Sequence, residues 1–173
     1  MILDRTRGKG DAIRCSIAHI ATPVAVFMDA DGSHDPDDIP KLVAPILEGD
    51  AEHVSGSRML GGSSELHGSF DEFFRLAGNA FVVACINWKF GVSLSESQNG
   101  FRALRTDLLR RLDLREDITT IEQEMIIRTL KLGGKLGEVP THEHRRRFSE
   151  SSIKVHRVWH RYLVSAAWNL FVR

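Results

Sequence analysis

Apolar positions along the chain fall into two alternating kinds of segment, some with a helical period and some in short unbroken runs. That alternation reads as an α/β architecture. A helical pattern covers 9–20. Residues 23–28, Pro23-Val24-Ala25-Val26-Phe27-Met28, form an apolar run ending in acids, as a buried parallel strand does. A second helix is predicted over 36–47, with Asp35 at the N-cap, Pro36 at the first helical position and Asp38 at the third. A short strand at 53–57 follows, and then Gly61-Gly62-Ser63-Ser64 marks a flexible loop.

The most regular amphipathic segment comes next. Phe70, Phe73, Phe74, Ala77, Phe81, Ala84, Cys85 and Trp88 recur at helical spacing and define one apolar face. A strand is predicted over 101–104, followed by a short helix to Leu112. Thr119-x-x-Glu122 has the form of a capping box opening a helix to about Leu132, which Gly133-Gly134 stops. A strand at 136–140 precedes the last helix. There Val155, Val158, Trp159, Tyr162, Leu163, Ala166 and Leu170 make one stripe, opposite His156, Arg157, His160 and Arg161. Two readings stay open for it: a basic, Trp- and Tyr-bearing helix at an anionic membrane surface, or a terminal helix packed on the core. The chain divides into a core over 1–145 and a basic amphipathic segment over 146–173.

With 173 residues the chain suits one domain, and 42% apolar residues suffice for a core. Lys plus Arg and Asp plus Glu balance at 23 each, so net charge singles out no partner and no nucleic acid is expected. The distribution says more. Five acids and no Lys or Arg lie between Asp29 and Asp38, while seven basic residues face two Glu between His142 and Arg173. An acidic loop and a basic tail point to a cation site and an anion-facing surface. Two cysteines without CxxC spacing fit a reducing compartment. No signal peptide is read, and the apolar run 162–172 is too short to span a bilayer, so a cytoplasmic place, or a peripheral one on the membrane's cytoplasmic face, is expected.

Asp29-Ala30-Asp31-Gly32-Ser33 follows a buried strand, where open α/β sheets bind ligands. The helix terminus accounts for Asp35, Asp37 and Asp38, which leaves Asp29 and Asp31 to share a divalent ion, Mg²⁺ or Mn²⁺. An EF-hand fails, because its Gly and Glu positions hold His34 and Pro40. A phosphatase of the haloacid-dehalogenase type, with Asp29 as nucleophile and Asp31 as acid/base, matches locally but lacks its later acidic pair. His142-Glu143-His144 does not have metalloprotease spacing and reads as a solvated basic segment.

Six blocks in order carry a wider resemblance: Arg7-Gly8-Lys9-Gly10-x-Ala12, Asp29 to Pro36, Val54-Ser55-Gly56-Ser57-Arg58, Gln98-Asn99-Gly100-Phe101-Arg102, Glu122-Gln123-Glu124-Met125, and Glu138-Val139-Pro140 with the Arg- and Ser-rich stretch after it. Together they resemble the second half of a family 2 glycosyltransferase of the dolichol-phosphate mannosyltransferase branch. The resemblance implies a partial GT-A, Rossmann-like fold with a mostly parallel sheet. It implies a UDP- or GDP-sugar donor, an acceptor such as polyprenyl phosphate, and a metal on Asp29 and Asp31 that neutralises the leaving diphosphate. A phosphate acceptor is already anionic, so positioning and electrostatics dominate; a hydroxyl acceptor needs a carboxylate base.

Arg58 and Arg102 are then candidates for phosphate contacts, because guanidinium forks match phosphate oxygens. Lys9 is placed near the donor phosphates, and Gln98 and Asn99 on the acceptor-side loop. Glu96 stands where the family has Asp and is a candidate sugar contact or base. Glu124 is preferred to Glu122, which the capping box explains. Arg147 and Ser151 are carried from a tail that departs from the family's Arg-x-x-Gly-x-Ser-Lys pattern, with Ser149 for Gly and Ser152 for Lys. Family members carry a strand, a nucleotide-binding loop and a second strand before the metal motif. Here about two dozen residues precede Met28, so a fragment, a split enzyme completed by a partner chain, or a remnant are the three expectations.

Overall fold

In a computed structural model, residues 8–64, 70–146 and 155–172 are described, with side chains from 76 onward in the fourth helix and from 160 onward in the last. A first helix, α1 (Lys9–Ile17), leads to strand β1 (Val24–Phe27). A 3₁₀ turn (Pro36–Asp38) and α2 (Ile39–Leu47) follow, then β2 (His53–Ser57) and the short α3 (Arg58–Gly61). The long α4 (Phe70–Phe90) precedes β3 (Arg102–Arg105), α5 (Thr106–Arg111), α6 (Ile121–Lys131) and β4 (Leu136–Pro140). The last helix, α7 (Val155–Ala167), runs into a π-helical turn (Trp168–Val172).

The strand order is β1-β3-β2-β4. The α/β layering holds, but the sheet is mixed rather than mostly parallel among the described strands. β3 runs against both β1 and β2, and only β2 and β4 pair in parallel. The reversal has a local cause: after α4 the chain re-enters the sheet through the turn 97–101, where the Asn99 carboxamide accepts from Phe101 N. β1, β2 and β4 therefore share one direction, and their carboxyl ends share one edge.

Strand alternation sorts the side chains into two layers. Val24, Val26, Val54, Phe101 and Ala103 pack against Leu42 and Ile46 of α2 on one face. Ala25, Phe27 and Leu104 pack on the other face with Ile13 and Ile17 of α1, Leu108 and Leu109 of α5, and Ile121 and Met125 of α6. A third cluster joins Val82, Val83 and Ile86 of α4 to Ile126 and Ile127 of α6 and Ala166 and Leu170 beyond. Of the two readings of α7, core packing is thus present.

Two further expectations need correction. Within the predicted stripe of α4, Phe81 and Trp88 are 60% and 80% exposed, while Val82, Val83 and Ile86 face the core. The helix is apolar on more than one side, so periodicity alone does not choose the face. Asn79 and Asn87 choose it, by bonding inward to Ser97 N and to the backbone of Leu94. Gly61–Ser64 is also no loose loop: Ser63 bridges to Glu143, and Ser64 N donates to Glu143 O at 2.7 Å.

Candidate functional site

The alternation that buries Ala25 and Phe27 against α1 and α6 brings Asp29, just past β1, toward the same side. On α1, Lys9 lies four and eight residues before Ile13 and Ile17, so it shares their face. The two meet, with Lys9 Nζ 2.5 Å from Asp29 Oδ1. Lys9 Nζ also donates to Glu122 Oε1 of α6. Burial by itself would lower the Lys9 ammonium, but Glu122 and Asp29 hold it above its ordinary value. Burial would raise the Asp29 carboxyl, yet His34, with its Nε2 3.8 Å from Asp29 Oδ2, and Lys9 hold it well below the usual carboxylate range. A cleft of about 240 Å³ opens here, lined in part by Lys9, Ala12, Met28, Asp29, Ala30 and Gly100.

Two glycines make this approach geometrically possible. A Cβ on Gly100 would sit 2.5 Å from Lys9 Nζ and 2.7 Å from Asp29 Oδ2. At Gly10 it would overlap the Glu116 carbonyl, because the α1 backbone lies against the 116–117 segment and Gly10 N donates to Asp117 O at 2.9 Å.

Asp31 has different company. Its Oδ1 accepts from Ser33 N at 3.0 Å and Ser33 Oγ at 2.6 Å, and its Oδ2 lies 3.2 Å from Arg146 Nε. Arg146 is placed by the chain before it, where Thr141 N donates to Ser57 O and His144 N to Ser33 O. Asp35 caps the following turn by accepting from Asp37 N at 3.0 Å, as predicted, and so stays out of the site. Asp29 and Asp31 keep 35% and 18% of their side chains exposed. As hard oxygen donors past a strand end they suit Mg²⁺ or Mn²⁺. Among the described residues no group of three or more His, Cys, Asp or Glu converges on a metal position. The chain offers two carboxylates, and a ligand or water would supply the rest.

Several candidates drawn from the sequence point inward instead. Arg58 pairs with Glu96 at 2.7 Å and Glu143 at 2.9 Å, and Glu96 is fully buried. Burial pushes the Glu96 carboxyl up against the opposing pull of Arg58. Arg102 is 1% exposed and donates to the backbone carbonyls of Glu122 and Asn99, so it braces β3 against α6. Asn99 shapes its own turn, and Gln98 Nε2 donates to Gln123 Oε1 at 2.8 Å. Glu143, expected in a solvated segment, is buried, and it accepts from Ser63 Oγ as well as Arg58. Arg147 and Ser151 lie outside the described residues.

The expected capping box is absent. Thr120, not Thr119, precedes α6, without a side-chain cap, and Thr119 Oγ1 bonds Tyr162 Oη. Glu122 is thereby released to face Lys9. Glu124 accepts from Arg115 N and Glu116 N and lies 3.5 Å from Arg128. Of the two glutamates, the structure brings Glu122 to Lys9, the partner of Asp29. Arg146 is the other residue missed; it opens the Arg-x-x-Gly-x-Ser pattern, which was the available signal.

The family model for glycosyl transferase family 2 matches residues 1–113. An undecaprenyl-phosphate mannosyltransferase of Micrococcus luteus is 32% identical over 135 residues, 75% of this chain and 53% of that protein. An uncharacterised protein of Methanocaldococcus jannaschii is also 32% identical, over 80% of this chain and 57% of its own length. The chain thus spans about half the length of such curated relatives. A solved structure of Mycobacterium tuberculosis glucosyl-3-phosphoglycerate synthase, in complex with Mn²⁺, UDP-glucose and phosphoglyceric acid, superposes with a TM-score of 0.71 at 20% identity, over 99% of this chain and 57% of that one. With the matched segment covering most of the chain and the GT-A layering in place, the protein belongs to glycosyltransferase family 2.

Proposed function

We propose that this chain carries the metal-binding and acceptor-side part of a transferase that moves a hexose from a UDP- or GDP-sugar to a polyprenyl phosphate. The observation that carries this reading is the placement of Asp29 and Asp31 just past the carboxyl end of β1, with Asp29 lining a cleft together with Lys9 and Gly100. The relatives support the substrate class: one is named for undecaprenyl phosphate, and one from Methanococcus voltae for dolichyl phosphate and UDP-N-acetylglucosamine. The structural neighbour with Mn²⁺ and UDP-glucose supports the cofactor.

Asp29 and Asp31 form the Asp-x-Asp motif that would hold Mg²⁺ or Mn²⁺. A bound ion there would stabilise charge developing on the leaving diphosphate. Lys9 would contact the donor phosphates, and the 98–100 turn would face the acceptor. Arg58, Arg102 and Glu124 would hold the frame, and Glu96 would fix the α3 entrance by accepting from Arg58 N at 3.0 Å. An acceptor phosphate needs no deprotonation, so no general base is assigned for it.

β1 stands at one end of the strand order and pairs with β3 among the described residues. Strands from a nucleotide-binding portion, on the same or a partner chain, would add there. Exposed Phe81, Trp88, Trp168 and Phe171, with Lys89 over the Phe171 ring, would rest on the cytoplasmic face of a membrane. No helix among the described residues is long and apolar enough to cross one.

Calorimetry with Mn²⁺ and UDP or GDP tests the site. Weak binding that Asp31→Asn abolishes is expected, and binding indifferent to Asp31 would refute the assignment. Transfer of hexose to polyprenyl phosphate, read by mass spectrometry, tests the substrate class.

A further inference from the structure

The charges around the two aspartates are already matched. Lys9 stands 2.5 Å from Asp29 and also holds Glu122; Arg146 stands 3.2 Å from Asp31. The buried Arg102 lies beside them, donating to the backbone carbonyl of Glu122. Each of the two aspartates thus already faces a cationic side chain.

The matching cations differ in how firmly they are held. Arg102 is sealed on two backbone carbonyls. Lys9, which lines the cleft, and Arg146 keep 26% and 24% of their side chains exposed. Half-exposed ion pairs contribute little stability and are readily exchanged. Lys9 has a second, fixed partner in Glu122, whose side chain is 6% exposed, so its ammonium stays anchored when it leaves Asp29. Arg146 follows a segment tied to Ser33 and Ser57, so its guanidinium stays within reach of whatever sits on Asp31.

Resting on the assignment of Asp29 and Asp31 to a metal–diphosphate site, we infer that Lys9 and Arg146 are exchangeable counter-ions that make divalent-cation binding depend on a diphosphate. A bare divalent ion entering between the aspartates adds two positive charges beside an ammonium and a guanidinium that already satisfy those carboxylates. A diphosphate removes the conflict. Its oxygens take over Lys9 and Arg146 as charge-assisted hydrogen-bond donors while the aspartates turn to the ion. With both ligands present the aspartates face the ion and the two cations face the diphosphate, so every charge has an opposite partner; with the ion alone, the ammonium and the guanidinium are left facing its positive charge. Glu122 acts as a positioning residue for Lys9.

The test is Mn²⁺ binding to the full chain, followed by the electron paramagnetic resonance of free Mn²⁺, with and without pyrophosphate. The solution Mn²⁺–pyrophosphate equilibrium is subtracted in each case. In the wild type, saturating pyrophosphate should tighten Mn²⁺ binding at least about tenfold. In Lys9→Met, in Arg146→Met and in the double variant, Mn²⁺ alone should bind several-fold to about tenfold tighter, and the gain from pyrophosphate should shrink. Arg146→Met secures the test if Lys9→Met, which leaves Glu122 without its ammonium, fails to fold; thermal melts of each variant decide that. Equal Mn²⁺ affinity with and without pyrophosphate, or Mn²⁺-only affinity unchanged in a folded variant, overturns the inference. Asp31→Asn separates this from failure of the site itself. If Mn²⁺–pyrophosphate binds the wild type and Asp31→Asn alike, or binds neither, the metal–diphosphate assignment falls, and the inference with it.

Discussion

Two charged clusters stand at the carboxyl ends of the co-directional strands on either side of β3, one past β1 and one past β2, and both are built from basic side chains and carboxylates. They differ in access to water. Past β2, the side chains of Arg58, Glu96 and Glu143 are 12%, 0% and 9% exposed. Past β1, those of Lys9, Asp29, Asp31 and Arg146 lie between 18% and 35%. A sealed ion cluster must keep its partners, because removing one leaves a charge buried without compensation. A half-open cluster can trade partners. The same chemistry is therefore scaffold beside one strand and candidate site beside the other.

Breaking the sealed cluster should have the largest effect. Arg58→Met leaves Glu96 and Glu143 buried without their cation and should cost about 3–5 kcal/mol in urea unfolding. A loss under about 1 kcal/mol would mean that the cluster is not the brace described. Next comes Gly10→Ala, which forces α1 off the 116–117 backbone. A cost of about 1–3 kcal/mol is expected, with weaker Mn²⁺–pyrophosphate binding because Lys9 moves with the helix. Loss of stability without loss of binding would separate α1 from the site.

The third probe is pH. His53 is fully buried, with its Nδ1 3.0 Å from Thr129 Oγ1, and burial together with Arg102 holds its pKa well below the ordinary value. The unfolded chain binds a proton near pH 6.5 that the folded chain refuses. Stability should therefore fall as pH drops below about 6.5, by at most about 1.4 kcal/mol per pH unit from this one group. Comparing wild type with His53→Gln at pH 7.5 and 5.5 isolates it; equal pH slopes would exclude His53. The smallest effect belongs to the open cluster. Asp31→Asn should change stability by under about 1 kcal/mol, and a loss matching that of Arg58→Met would erase the distinction between the clusters.

Much of the frame was legible in the chain. The apolar run before Asp29, the strands at 53–57 and 136–140, and the Asp35 cap all form where local pattern placed them. Direction in three dimensions was not legible. Arg58 and Arg102 have the chemistry of phosphate ligands, but only the sheet shows that Arg102, between Phe101 and Ala103, turns to the α6 face. Glu122 meets Lys9 while Glu124 holds the 115–116 amides, and Thr119 is drawn to Tyr162, a contact between residues 43 apart. The buried face of α4 depends on where Asn79 and Asn87 find backbone partners, which hydrophobic periodicity does not encode. Arg146 reaches Asp31 only because the 141–144 backbone docks on α3 and Ser33.

The segment around Glu116 is where the first and last helices meet. Its backbone receives α1 through Gly10 and Asp11, its amides are gripped by Glu124, and its carboxylate accepts from Thr120 and from Ser165 of α7 at 2.6 and 2.7 Å. Such a knot leaves no independent fraying at that point. Opening the segment releases both helices at once, so amides near the start of α1 and those of α7 should exchange with deuterium as one cooperative unit. Lys9 rides on that unit, so the lifetime of its pairing with Asp29 is set in part by a helix at the opposite end of the sequence.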